Sequence, residues 1–157
     1  MGHYTGLRAH VKVHERFRGL IASLHSDDES MVWDKSIDTN SHSFPDEADS
    51  LKRWCEFNRC GFIPFGALAY MPDDFGEAIG KPDGGSIFNE ETGSWEFACS
   101  LKNYKSEIEF FITNVLKVIS EEIFYCESLY EEYPHFDRSK SMFEDQSTDW
   151  RDYTCKY

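Results

Sequence analysis

The chain has 157 residues, of which 40% are apolar and 16% aromatic, with a formal charge of −13. That is enough for one domain with a packed core, and it excludes disorder over the whole length. An acidic balance of this size repels the nucleic acid backbone, so direct binding of DNA or RNA is not expected.

No apolar run approaches the ~18 residues of a membrane span, and the opening "MGHYTGLRAHVKV" lacks the apolar core of a secretory signal. Gly6 stands where a myristoylation signal needs Ser or Thr. Cys55, Cys60, Cys99, Cys126 and Cys155 are odd in number and form no CxxC pair, which reads as reduced thiols in a cytosol rather than a disulfide framework or a zinc site. Charge is unevenly spread. Residues 1–25 hold Arg8, Lys12, Arg16 and Arg18 against Glu15 alone, a local +3 that leaves −16 for the remainder of the −13 chain.

The first predicted element is a strand over Arg8–His14, with Ala9, Val11 and Val13 on one face and Arg8, His10, Lys12 and His14 on the other. In "ERFRGLIASLH" the apolar stripe Phe17, Leu20, Ile21 and Leu24 predicts an amphipathic helix. Residues 26–43 are rich in Ser, Asp and Asn and read as a loop anchored by Val32 and Trp33. A second helix begins at "FPDEADSLKRWCEF", buried through Ala48, Leu51, Trp54 and Cys55.

Between residues 59 and 76 Gly and Pro punctuate an aromatic stretch whose middle, "ALAYM", predicts a short strand. "EAIGKPDGGS" is a loop without the GxxxxGK[ST] of a phosphate-binding loop. "SIFNEETGSWEFACSL" predicts a hairpin turning at Glu91, Thr92 and Gly93, with Trp95, Phe97, Cys99 and Leu101 inward. Asn103 is the expected N-cap of a long helix with Ile108, Phe111, Ile112, Val115, Val118 and Ile119 at helical spacing. "IFYCESLYEEY" predicts a closing strand, and residues 134–157 an acidic tail with Trp150 and Tyr153 as anchors. The order predicts an α+β domain over 1–133: a mainly antiparallel sheet with helices on one face, ferredoxin-like with an inserted helix.

Catalytic and metal chemistry are weakly represented. HExxH, GxSxG, EF-hand spacing and a second HxT/HxS motif are missing, and His10 and His14 stand ~13 Å apart along a strand, too far to share an ion. The expectation is a non-enzymatic protein with no metal or cofactor. The start of the long helix and the polar face of the first strand are the candidate anion sites. Arg8, Lys12 and Lys102 would hold a phosphate, Phe62, Phe65 or Tyr70 would stack a base, and His10, Arg59, Asn103 and Tyr104 complete the expected ligand-binding set.

The phrases "MGHYTGLRAHVKV", "RCGFIPFGALAYMP", "CSLKNYKSEIEFF" and a "YEE" after the long helix resemble small uncharacterised proteins carried by phages and prophages, over most of residues 1–133. The resemblance implies an accessory or counter-defence protein in the cytosol of an infected bacterium. Two mechanisms fit such a role. One is sequestration of a small anionic, nucleotide-like signal; the other is an acidic imitation of nucleic acid that blocks a basic host defence protein. A structural phage component is a third class.

Overall fold

In the computed structural model, residues 3–25, 44, 46–56, 62–77, 80, 84–131 and 154–157 are described. Alternation at the start of the chain becomes strand β1 (Thr5–Val13), with Leu7, Ala9, Val11 and Val13 fully buried. The next eleven residues form helix α1 (Glu15–His25), which buries the stripe Phe17, Leu20, Ile21 and Leu24. Helix α2 (Ala48–Glu56) presents Leu51 and Trp54 to the core. After a short helix α3 (Asp73–Glu77), strands β2 (Gly85–Phe88) and β3 (Ser94–Leu101) form the expected hairpin.

The hairpin turn is organised by Asn89, whose Oδ1 accepts the backbone N–H groups of Glu91 and Thr92 at 3.0 and 3.2 Å. Gly93 closes it at φ 77°, and an added Cβ would stand 2.7 Å from the carbonyl oxygen of Val13, so a side chain is excluded on both grounds.

The last helical stretch, residues 107–119, runs through α4 (Glu107–Phe111), a π turn (Ile112–Leu116) and α5 (Lys117–Ile119). The wider turn shifts the buried face: Leu116 is fully buried, while Val118 is only partly so. Strand β4 (Ser120–Tyr130) follows directly, and a two-residue strand β5 (Cys155–Lys156) pairs with it.

The sheet order is β2-β3-β1-β4-β5, with every pairing antiparallel. β3 separates β1 from β2, and β1 separates β3 from β4, so the chain makes two split βαβ units, the ferredoxin-like arrangement. α2 and α3 are inserted before β2, and β5 extends the sheet beyond β4. One sheet face is sealed by α1, α2 and the 107–119 helix around an aromatic centre, in which Trp54 and Phe97 meet Phe111 edge-on at 5.3 and 5.9 Å.

Three expectations are corrected. "ALAYM" is not a strand: Ala67 makes one isolated bridge to Gly84, and Tyr70 turns left-handed. The polar groups of Ala67 and Ala69 go to Ser100 instead of a ladder. This segment and α3 lie over the sheet's second face, where Leu68, Met71 and Phe75 pack with Leu129 in a small separate core. Arg8, expected as an anion ligand on the polar face of the first strand, is therefore buried at 9% exposure. Finally, the N-cap position of α4 is Ser106, not Asn103, although Asn103 does the capping from outside the helix: its Oδ1 accepts the Ile108 N–H at 2.9 Å. Val32, Trp33, Trp150 and Tyr153 lie outside the described residues.

Candidate functional site

Strand parity places Tyr4, Gly6, Arg8, His10 and Lys12 in one row on the face of β1 opposite the main core. Acidic residues on both neighbouring strands meet the basic members of that row. The Nε and Nη2 of Arg8 donate to Glu127 Oε2 at 2.8 and 2.5 Å, and Nη1 donates to the carbonyl oxygen of Phe75 at 3.2 Å. Its guanidinium also lies 4.9 Å above the Phe75 ring. Lys12 Nζ is 3.2 Å from Glu121. The His10 ring contacts Ser94 Oγ at 3.0 Å, Glu96 at 3.7 Å and the Phe124 ring at 4.5 Å. The expected phosphate ligands Arg8 and Lys12 are thus both paired with carboxylates, Lys12 at the partly exposed surface and Arg8 inside the fold, where it is a structural cation.

The far end of the same row is built differently. Tyr4 lies just ahead of β1, fastened to the end of β4: its N–H donates to Glu131 Oε2 at 2.8 Å, and its carbonyl accepts the Glu131 N–H at 3.0 Å. The Tyr70 ring lies 4.9 Å from the Tyr4 ring, inclined at 37°, and Lys102 Nζ stands 5.8 Å from the Tyr4 centroid. Tyr70 remains 64% exposed and has φ 59°, a conformation costly for a bulky residue. Ser100 holds it there. Its buried hydroxyl accepts the Ala69 N–H at 2.7 Å and donates to the Ala69 carbonyl at 2.8 Å, clamping the residue before the turn. One exposed and one half-buried phenol ring with an ammonium nearby, brought together from three separate stretches of chain, can stack a planar group and hold an anion beside it.

Of the ten residues expected in a site, Tyr70 and Lys102 are brought together here. Asn103 is occupied by the helix: besides its bond to Ile108, its Nδ2 donates to Glu109 at 2.8 Å. Tyr104 is exposed at the adjoining turn. Phe62 and Phe65 pack against the main core, Phe65 edge-on to His25 at 5.0 Å, and His10 sits at the opposite end of the β1 row from Tyr4. Arg59 lies outside the described residues. Tyr4, Ser100 and Glu131 were missed. Parity alone would have aligned Tyr4 with Arg8, but the partners of Ser100 and Glu131 are distant in sequence and leave no local signal.

Of the free cysteines among the described residues, Cys155 is exposed. Cys99 and Cys126 are buried, and burial pushes each thiol up to about 12, far from the reactive thiolate range. No three His, Cys, Asp or Glu side chains among the described residues group as metal ligands, and no described helix is long and apolar enough to cross a membrane. Comparison with family models, curated proteins and solved structures returns no match for this chain.

Proposed function

We propose that the protein is a non-enzymatic phage counter-defence factor that sequesters a small anionic, nucleotide-like signal at Tyr4, Tyr70 and Lys102. The observation that carries this reading is Tyr70: an exposed aromatic ring held in a strained backbone and inclined against the Tyr4 ring, which has Lys102 beside it. A base would lie against the open face of Tyr70, and its phosphate would meet Lys102. The phage context comes from the resemblance of the sequence phrases. Recovery of the ligand unchanged is the expected behaviour, since binding alone removes a signal from its receptor.

Calorimetry against a panel of linear and cyclic nucleotides tests the reading. One or more should bind, and Tyr70→Ala and Lys102→Ala should each weaken binding about tenfold, as loss of one stacking or charged contact implies. Chromatography of the released nucleotide should return the input. The reading fails if no nucleotide binds, if both variants keep full affinity, or if the nucleotide is converted over many turnovers.

A further inference from the structure

The other end of the second sheet face, beyond the part that residues 62–77 cover, has its own chemistry. Two register shifts interrupt the pairing of β4 with β1, between His10 and Val11 and between Lys12 and Val13, and each leaves one extra residue on β4: Phe124 and Glu121. A β-bulge re-aims a side chain without ending the strand. Here both extra residues reach the face that carries His10 and Lys12, since the Phe124 ring lies on His10 and the Glu121 carboxylate lies on Lys12. Phe124 is 51% exposed. Across β1, Ile87, 44% exposed, sits opposite Glu96 in the β2–β3 register.

The patch is therefore two exposed apolar side chains set among Glu96, Glu121 and Glu122. Lys12, the lysine of β1 at this end, is already paired with Glu121. An apolar centre with an acidic rim is the inverse of a basic amphipathic segment.

We infer that this face, Phe124 and Ile87 ringed by Glu96, Glu121 and Glu122, docks a basic amphipathic segment of a partner protein. The apolar side chains of the segment cover Phe124 and Ile87, and its Lys or Arg side chains meet the carboxylates. A basic, solvent-facing segment suits a nucleic-acid-binding protein, whose own cations would then be withheld from phosphate. The inference stands beside the nucleotide reading, because Tyr4, Tyr70 and Lys102 lie at the opposite end of the β1 row.

The test uses the full chain labelled with nitrogen-15 and, as probe, a synthetic ten-residue peptide alternating arginine and leucine. Amide shifts should move around Ile87, Glu96 and Phe124 and stay still around Tyr70. Glu96→Gln with Glu121→Gln, and separately Phe124→Ser, should each weaken binding about tenfold. Asp46→Asn with Asp49→Asn removes the same charge from exposed positions at the start of α2, which packs on the main-core face of the sheet, and should change affinity by less than about twofold. Ile87→Lys, at a half-exposed edge position, is a second probe of the patch should Phe124→Ser unfold the chain, and it should also weaken binding. Equal losses from the remote pair would mean unspecific attraction to an acidic protein and overturn the inference. Shifts centred on Tyr70, or full affinity in the patch variants, would overturn it as well.

Discussion

Arg8 illustrates how a residue that looks like a ligand becomes part of the scaffold. Its charge is balanced by Glu127, its Nη1 donates to the Phe75 carbonyl and its flat face lies over the Phe75 ring, with side-chain exposure of 10% for Arg8 and 15% for Glu127. Removing one partner leaves the other charge buried and uncompensated. Arg8→Ala should cost about 3–5 kcal/mol in urea unfolding, while nucleotide affinity measured on the folded fraction should stay within about twofold of wild type. A large affinity loss without a stability loss would return Arg8 to the binding site. Tyr125 is the opposite case. Its hydroxyl is buried without a hydrogen-bond partner, so Tyr125→Phe discards a desolvated polar group and keeps the ring. Thermal unfolding of that variant should be unchanged or higher by up to about 1–3 kcal/mol equivalent; a clear loss of stability would mean that the hydroxyl is satisfied in solution.

At the scale of elements, legibility follows the range of the interaction. α1 could be read residue by residue because Phe17, Leu20, Ile21 and Leu24 are spaced by the helix itself. The hairpin could be read because Trp95, Phe97, Cys99 and Leu101 alternate with the pleat. The split βαβ order also followed from the element sequence. What could not be read was the second layer. Residues 62–77 give up strand pairing because Met71 and Phe75 find a platform at Gly6, where β1 has no side chain. That contact joins residues roughly 65 positions apart and leaves no periodic trace. It also hid the site, since it both buries Arg8 and brings Tyr70 to Tyr4. Gly6→Ala tests the dependence. The added Cβ would overlap Met71 Sδ and stand 2.9 Å from Phe75 Cε1, so the covering segment must shift. The expected cost is about 1–3 kcal/mol of stability, together with weaker nucleotide binding as Tyr70 leaves Tyr4. An unchanged Tm with unchanged binding would show that the segment adapts without loss.

For the whole molecule, the thiols flanking the central strand set an alkaline limit. Cys99 on β3 and Cys126 on β4 lie on either side of β1, and burial raises each from 9.0 to about 12. Tyr125, also on β4, is raised from 10.0 to about 12, first by burial and then by the charge of Glu96. All three are neutral when protonated, and the folded state holds those protons more tightly than the unfolded chain does. Below pH 9.0 both states are protonated and the contribution to stability is complete. Between 9.0 and about 12 the unfolded chain releases protons that the folded chain retains, so stability falls as pH rises through that window. Because the groups sit at the centre of the sheet, the loss should appear as global unfolding and not as fraying of β2 or β5. Urea midpoints should be flat from about pH 7 to 8.5 and should drop steeply toward about pH 11. Cys126→Ala lowers the midpoint everywhere by leaving a cavity, but it removes one titrating thiol and should make the alkaline slope shallower than in wild type. A wild-type midpoint that holds constant to about pH 11, or a variant slope as steep as wild type, would show that these groups do not govern the alkaline transition.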